Sequence, residues 1–126
     1  MITNEQKAVV QKAVEAASLR WVTAFNSGNA EACAEQYEHS AVMHARPFGT
    51  FYGTDEIRAF WQNLIDDGFA QVEYINPELN VIDETSAVLT SNWKMNKAGG
   101  IIHKELWVLQ SDGTAKLRED DFEATE

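Results

Sequence analysis

The segment that decides the fold reads Ile101-Ile102-His103-Lys104-Glu105-Leu106-Trp107-Val108-Leu109, then Gln110-Ser111-Asp112-Gly113, then Thr114-Ala115-Lys116-Leu117-Arg118-Glu119-Asp120-Asp121-Phe122. Two runs rich in β-branched and aromatic residues flank an Asp-Gly pair. This pattern is a strong signal for a β-hairpin, because a type I′ turn needs positive φ at both of its central residues. We therefore predict a β-hairpin whose two-residue loop consists of Asp112 and Gly113.

A two-residue loop also predicts which residues face each other across the hairpin. Counting back from the loop gives three pairs: Trp107 with Arg118, Glu105 with Asp120, and His103 with Phe122. Because side chains alternate between the two faces of a strand, all six should point to the same side of the sheet. One face of the hairpin is therefore predicted to collect two carboxyls, a guanidinium and an imidazole.

The Glu105–Asp120 pair is the first candidate for chemistry. Carboxyls directly across a strand pair have Cβ atoms about 5 Å apart, and they repel each other when both are ionised. Either solvent screens them, or Arg118 and a shared proton hold them, which is how enzymes keep a carboxylic acid neutral near pH 7. In the second case Asp120 would move a proton, neutral Glu105 would donate a hydrogen bond, and Arg118 would set their charges. The alternative is a salt-bridge cluster that only completes a polar cavity floor.

Two histidines are further candidates. His103 is a candidate acid or base because the ordinary pKa of an imidazole lies near neutrality, and the alternative is a half-exposed residue at the end of the sheet. His44, in a predicted strand, is a candidate ligand contact whose direction the alternation of side chains leaves open. A metal site built from His44, His103 and a carboxylate lacks His-x-x-x-His or comparable spacing, so we predict no metal site.

The opposite face of the hairpin is also half apolar. Because both faces carry apolar residues, we expect one to line a core or cavity and the other to pack on a second copy of the chain. The residues predicted at this homodimer interface are Ile102, Leu106, Val108 and Leu117. A different protein docking on the same face is the alternative.

Composition narrows the class of protein. The 126 residues suffice for one domain with a single core, so we assign residues 1–126 to one domain. The net charge of -10 argues against binding nucleic acid. No apolar run approaches the roughly 20 residues of a membrane helix, so we expect no membrane span. The single cysteine, Cys33, cannot form an internal disulfide, and the N-terminus lacks a basic start and an apolar core region; we therefore expect a cytoplasmic location.

The first half of the chain has a helical pattern. Thr3 followed by Gln6 resembles a capping box, and apolar residues then recur at helical spacing until Gly28, which can take a left-handed conformation at the end of the helix. Asn29 should cap a short second helix that continues to about Tyr37.

The remaining predicted elements are a short strand over residues 41–45, a loop over 46–53, a third helix from its N-cap Thr54 to Gly68, and strands over 69–83 and 87–97, followed by the hairpin. Pro77 cannot donate to a strand ladder, so we expect a bulge, a bend or a sheet edge there. Helices first and long antiparallel strands afterwards are typical of an α+β protein whose curved sheet wraps around its helices.

Three stretches carry a resemblance to a known family: Trp21-Val22-Thr23-Ala24-Phe25-Asn26-Ser27-Gly28-Asn29, residues 37–42, and Gly53-Thr54-Asp55-Glu56-Ile57-Arg58-Ala59-Phe60-Trp61. They resemble the nuclear-transport-factor-2-like superfamily, specifically its SnoaL-like and ketosteroid-isomerase-like branch. The resemblance implies three N-terminal helices packed in a strongly curved, mostly antiparallel sheet, a cone-shaped, cystatin-like α+β barrel. That scaffold hosts isomerases, cyclases, hydratases, epoxide hydrolases and non-catalytic binders, so the fold alone does not settle function.

The resemblance also implies roles for single residues. Glu105 matches in kind the oxyanion-hole aspartic acid of the steroid isomerases, and Trp21 aligns with their oxyanion tyrosine, although an indole can only donate. Their catalytic base falls near Ala45 or Arg46, and neither can abstract a proton, so this chain departs from the isomerase pattern there.

Two other branches of the superfamily offer comparisons. Asp120 is placed like the last-strand acid/base aspartate of the cyclase-like branch. Glu105, Arg118 and Asp120 together are similar to the Asp-Arg-Asp arrangement of the epoxide hydrolases, without matching it position for position.

These considerations lead to a predicted cavity. Besides His44, its predicted lining is aromatic or apolar: Trp21, Phe25, Tyr37, Phe48, Tyr52, Phe60, Trp61, Leu64, Tyr74, Trp93, Met95, Trp107 and Phe122, with Phe48, Phe51 and Tyr52 closing the mouth. We predict that it binds a small hydrophobic or aromatic carbonyl compound and performs acid/base chemistry of the isomerase, cyclase or hydratase type without a cofactor. The alternatives are that the aromatics are only core, or that the cavity serves a non-catalytic binding or interaction module.

Overall fold

Helix α1 (Asn4–Asn26) begins the computed structural model, which describes residues 2–125. Its N-terminus is a capping box: the Thr3 hydroxyl accepts from the Gln6 N–H at 3.0 Å, and the Gln6 side chain accepts from the Thr3 N–H at 2.9 Å. After its C-terminus Gly28 has a φ of +77°, a left-handed conformation that favours glycine. Both predicted ends of the first helix are confirmed.

Helix α2 (Ala30–Ala34) is capped by Asn29, whose Oδ1 accepts from the Ala32 N–H at 3.0 Å, as predicted. It ends earlier than expected, because Tyr37 already begins strand β1 (Tyr37–Arg46). The prediction of a strand over residues 41–45 was therefore too short. The first half of β1 is held by a distant part of the chain, with Tyr37 paired to Leu117 beyond a register shift.

Strand β2 (Gly49–Tyr52) lies where a loop was predicted. It pairs antiparallel with β1, and Phe51 faces Met43 across the pair. The prediction was wrong because glycine and proline near the segment mask a strand that is stabilised by its pairing with β1 and by packing against the helix that follows it.

Helix α3 (Gly53–Asp66) begins before the predicted cap. Tyr52 takes the N-cap position, and its N–H donates to the Glu56 carboxylate at 2.9 Å, so the assignment of Thr54 as N-cap was wrong. The helix buries Ile57 and Trp61.

Four further strands complete a six-stranded sheet: β3 (Glu73–Val81), β4 (Ser86–Lys94), β5 (Gly99–Leu109) and β6 (Ala115–Ala124). The strand order is β2-β1-β6-β5-β4-β3, and every neighbouring pair is antiparallel except β1 and β6. Within residues 2–125 the curved sheet does not close, so the expected barrel is an open one. Pro77 lies in a register shift of edge strand β3, as predicted.

The β5–β6 hairpin has a longer loop than predicted. Gln110 donates to the Thr114 carbonyl at 2.7 Å, so three residues form the loop, and only Gly113 has a positive φ there, +89°. Asp112 accepts from both the N–H and the hydroxyl of Thr114, which favours this turn over type I′.

A bulge in β6 then corrects the register of the hairpin. Trp107 faces Leu117 instead of Arg118, whereas Glu105 faces Asp120 as predicted. A second irregularity at His103 brings Ile102, rather than the histidine, opposite Phe122. Each bulge inserts one unpaired residue and moves it out of the alternation.

The three helices pack on one face of the sheet, and the core forms between the two layers. Helix α1 contacts β3, β4, β5 and β6, while α3 contacts β1 and β2. Buried residues of α1, such as Val14 and Phe25, share one apolar cluster with sheet residues such as Met43 and Leu117. None of the helices within residues 2–125 combines the length and apolar character needed to cross a membrane.

Candidate active site

Glu105 and Asp120 form the centre of the candidate site. They face each other across β5 and β6, and each is only 3% exposed. Both line a cavity of about 30 Å³ between the sheet and the helices. That volume is far below the several hundred Å³ of a typical ligand pocket. The structure therefore holds a small pocket lined mainly by apolar side chains around the two carboxyls, rather than the deep cavity expected from the sequence.

Both oxygens of Glu105 accept hydrogen bonds. The Tyr74 hydroxyl donates to Oε2 at 2.8 Å, and the Trp107 indole N–H donates to Oε1 at 3.0 Å. Donors on both oxygens stabilise the ionised form of a carboxyl.

Asp120 is less well satisfied. The Tyr37 hydroxyl donates to its Oδ2 at 2.7 Å, but Oδ1 has no hydrogen-bond partner within residues 2–125. An unpartnered carboxylate oxygen in a buried position is costly, and a proton on the carboxyl reduces that cost.

The surroundings raise the pKa of both carboxyls. Burial raises the pKa of Glu105 to about 7, against the hydrogen bonds of Tyr74 and Trp107, which lower it. Burial, and then the charge of Glu105, raise the pKa of Asp120 well above its usual range, against the hydrogen bond of Tyr37. Since Asp120 has fewer donors, the pair should hold one proton near neutral pH, mainly on Asp120.

The two tyrosines remain neutral donors. Burial is the largest cause that raises the pKa of Tyr37 and of Tyr74 well above the usual range, and the nearby carboxyls raise both further. Neither hydroxyl therefore competes with the carboxyls for the role of base near neutral pH.

Three tryptophans around the cavity carry buried indole N–H groups. The Nε1 atoms of Trp21, Trp61 and Trp93 have no acceptor that meets hydrogen-bond geometry within residues 2–125. Buried donors without partners are rare and need an explanation. Together with Asp120 Oδ1, they make a cavity suited to a ligand oxygen.

Gly100 positions one of these donors, and sequence reasoning missed it. It pairs with Trp93 across β4 and β5, and a Cβ at this position would collide with the Glu123 carbonyl oxygen and come within 3.0 Å of the Trp93 ring. Only glycine leaves room for the Glu123 backbone, and its small size also lets the indole lie close to the strand. A glycine opposite an inward tryptophan was the available signal.

Arg118 and His103 do not belong to the site, contrary to the sequence-based expectation. The Arg118 side chain is 58% exposed and makes a two-pronged hydrogen bond to Glu38 at 2.7 and 3.1 Å. His103 lies outside as well, with its Nε2 2.9 Å from a Glu123 oxygen. The two bulges turn both residues outward, so Arg118 cannot set the charges of the buried pair.

The predicted cavity lining divides into three groups. Residues that line the cavity are Trp21, Trp61, Tyr74, Trp93, Met95 and Phe122, joined by Val72 and Ile102, which were not predicted to do so. Phe25, Tyr37 and Trp107 are buried in the core around it. Phe60 and Leu64 are partly buried at the surface, Phe48 and Tyr52 are exposed, and His44 is outside, 3.1 Å from the Thr50 hydroxyl.

The outer sheet face also differs from the expectation. Ile102 and Leu117 are buried in the core cluster, so their assignment to the outer face was wrong. Leu106 is half-buried and Val108 is buried. The surrounding surface carries ion pairs, such as Arg46 with Asp121 at 2.9 Å. A homodimer through this face remains a prediction. The face is more polar than the alternation of apolar and polar residues in the sequence suggested.

Metal ligands do not converge in the described part of the chain: residues 2–125 hold no group of three His, Cys, Asp or Glu side chains placed to bind an ion.

Comparison with known proteins gives the fold a context. A profile of the SnoaL-like domain matches residues 19–116. The structure is similar to a scytalone dehydratase-like protein from Novosphingobium aromaticivorans DSM 12444, with a TM-score of 0.82, 16% identity, and coverage of 98% of this chain and 89% of that one. No curated protein sequence matches this chain significantly.

Two further solved structures show the same fold. A ketosteroid isomerase-like protein from Erwinia carotovora atroseptica SCRI1043 has a TM-score of 0.78 and 18% identity, covering 98% of this chain and 99% of its own. A protein with a cystatin-like fold from Nostoc punctiforme PCC 73102 has a TM-score of 0.77 and 13% identity, covering 98% and 93%. The cystatin-like α+β fold predicted from the sequence is thus confirmed.

Proposed function

This chain belongs to the SnoaL-like domain family, whose fold includes isomerases, dehydratases and cyclases, and we propose that it performs cofactor-free acid/base chemistry on a small carbonyl compound. The proposal depends mainly on one observation. Glu105 and Asp120 are paired and buried beside a cavity where an Asp120 oxygen and three indole N–H groups lack partners. Such an arrangement costs folding free energy unless a ligand or a reaction uses it.

The hydrogen bonds favour a division of roles opposite to the one expected from the sequence. Glu105, ionised and held by two donors, is the base that removes a proton from the carbon next to the carbonyl group. The C–H electrons move into the carbonyl to form an enolate. Protonated Asp120 donates a hydrogen bond to the enolate oxygen as its charge develops.

The proton on Glu105 then has two possible destinations. Its return to a different carbon of the same conjugated system completes an isomerisation. In a β-hydroxy carbonyl compound, the enolate instead expels the hydroxyl group, Asp120 gives it a proton, and water leaves. Glu105 keeps the proton taken from carbon until it passes to Asp120 or to solvent, so both reactions balance without a cofactor.

The indoles supply the remaining stabilisation of the oxygen. Trp21 and Trp93 are buried donors without acceptors, and a developing oxyanion is the acceptor that would benefit most from them. Their rings also pack tightly, with Trp21 against Phe25 and Trp61, and Trp93 against Phe122, so the N–H groups are held in place before substrate binds.

Hydrogen exchange in D₂O tests the proposal without knowledge of the natural substrate. We expect the protein to accelerate exchange at the carbon next to the carbonyl of butanone or 2-cyclohexenone, measured by proton NMR. Asp120→Asn and Glu105→Gln should each slow the catalysed exchange by about 100-fold or more, since a positioned acid or base contributes at least that much.

Matched controls lie one and three residues after Asp120 in strand β6. Asp121→Asn and Glu123→Gln make the same chemical changes on the outer face, where these carboxyls pair with Arg46 and His103. They should leave the exchange rate within twofold of the parent protein. Exchange at the buffer rate by the parent protein, with every ketone, would reject the proposal. Saturable binding of those ketones without exchange would favour a non-catalytic binder, which the small cavity also permits.

A further inference from the structure

A second apolar feature lies on the surface outside the buried cavity. A groove of about 480 Å³ runs between β2 and α3 and is lined by Phe48, Phe51, Glu56, Ala59, Phe60, Asn63 and Leu64. Phe48 is 59% exposed, an unusual position for an aromatic ring. Large apolar side chains grouped at a surface often mark a binding site.

Phe60 connects this groove to the cavity. On the groove side its ring centroid lies 4.8 Å from Phe51 and 6.1 Å from Phe48. On the inner side it lies 5.0 Å from Trp61 and 6.3 Å from Phe122, and both of these residues line the cavity. The half-buried Phe60 ring therefore packs between the surface groove and two aromatic residues that line the cavity.

The small size of the cavity supports such a connection. A cavity of about 30 Å³ is far below the several hundred Å³ of a typical ligand pocket, so it holds only part of an aryl ketone. The remaining atoms of such a compound need an adjoining apolar space, and the groove adjoins the cavity through Phe60. None of the residues that line the groove is basic, and Glu56 lies at its edge, so the fitting molecule is neutral there.

We propose that this groove is the outer half of the binding site and holds the flat apolar part of a neutral aryl ketone or enone, whose oxygen reaches the cavity when Phe60 turns aside. The inference rests on the proposed function, because it takes the Glu105–Asp120 pair as the end that receives the oxygen. β2 is a four-residue edge strand paired only with β1, so the wall that carries Phe51 can yield at low cost.

The first test uses 2-acetylnaphthalene as the probe, with affinity measured by equilibrium dialysis. Phe48→Ser should weaken binding roughly fivefold or more, because a ring contact is lost from an exposed position that the fold does not need. The matched control is Leu19→Ser, a change of an equally exposed apolar residue on α1, which is 67% exposed and should stay within twofold. The anionic analogue 6-acetyl-2-naphthoic acid should bind at least fivefold more weakly than the neutral probe.

Equal affinities of the parent and Phe48→Ser proteins would overturn the groove proposal, and so would a lack of probe binding to the parent protein. The proposed function would be judged separately by exchange of butanone, which has no aromatic part for the groove to hold. Weakening by Phe48→Ser with no effect of Asp120→Asn on probe affinity at any pH would overturn the link between groove and cavity. A dimer that Phe48→Ser dissociates in sedimentation would assign the groove to a second copy of the chain and also overturn the proposal.

A second variant tests the role of Phe60. Phe60→Leu keeps an apolar side chain but narrows the barrier between groove and cavity. Stopped-flow quenching of tryptophan fluorescence by 2-acetylnaphthalene should show an association rate at least threefold higher than for the parent protein. An unchanged rate would overturn the passage through Phe60.

Discussion

The two faces of the β5–β6 hairpin both carry carboxyls, yet they place them in opposite environments. On the inner face, Glu105 and Asp120 face each other, almost fully buried, with hydroxyl and indole donors around them. On the outer face, Asp121 lies next in the chain and pairs with exposed Arg46. Neighbouring residues of one strand thus differ in solvation, because alternation sends one into the core and the next into solvent.

Because of this difference in solvation, the inner and outer carboxyls give the stability of the fold opposite pH dependence. Burial raises the pKa of Glu105 to about 7, so the stability from its protonated form is full below about pH 4.5 and is lost as the pH rises through 7. The hydrogen bond from Arg46 lowers the pKa of Asp121, and that from Arg118 lowers the pKa of Glu38. Their stabilisation is present above the ordinary carboxyl pKa and is lost as the pH falls through their lowered values.

The largest expected effect compares neighbouring residues on the two faces. Trp107→Ala removes a fully buried ring and one donor of Glu105, and should lower the free energy of unfolding by about 4 kcal/mol. Leu106→Ala, at a half-buried position that points outward, should cost about 1 kcal/mol. Urea unfolding at pH 6 measures both. Similar losses would show that the outer face is packed as tightly as the inner one, as a covered interface would be.

The next largest effect is the pH dependence of the free energy of unfolding. In the parent protein the free energy of unfolding should fall on the order of 3 kcal/mol between pH 4.5 and 8 because of the raised pKa of Glu105. Glu105→Gln should remove the part of this slope that comes from Glu105, should be more stable than the parent protein at pH 8, and should keep the slope due to Asp120, whose pKa burial also raises. Glu123→Gln, an outer change of the same kind, should keep the slope. If the free energy of unfolding had the same pH dependence in Glu105→Gln and in the parent protein, this would contradict a buried Glu105 carboxyl with a raised pKa.

The smallest effect concerns Arg118. Arg118→Ala breaks an exposed ion pair with Glu38 and should cost at most about 1 kcal/mol, less in 1 M NaCl than in 0.1 M. The variant should not change the pH at which the free energy of unfolding responds to the ionisation of Glu105. A change in that pH would show that Arg118 acts on the buried carboxyl pair, as the register of an unbulged hairpin predicted.

Much of the secondary structure follows from local signals in the sequence. The capping residues Thr3 and Asn29, the left-handed Gly28 and the interruption at Pro77 act within a few residues of themselves, so pattern and stereochemistry predict them. The strands that the sequence did not predict correctly depend on pairing with segments that are distant in the chain. β2 is held by pairing with β1 and by packing against α3, and the first half of β1 is held by β6.

The sequence by itself determined that Glu105 and Asp120 would face each other, because hairpin pairing and the alternation of side chains are local rules. The predicted loop was one residue too short, but the bulge in β6 compensates for that difference, so the pairing of these two residues is the predicted one. Only the tertiary structure decided which neighbours share their face. It turned Arg118 and His103 outward and brought Tyr37 and Tyr74 in as donors. It also placed around a cavity of about 30 Å³ three indoles that find no hydrogen-bond acceptor within residues 2–125. The reason is that bulges, burial and hydrogen-bond satisfaction depend on packing between segments far apart in the chain, which no local pattern records.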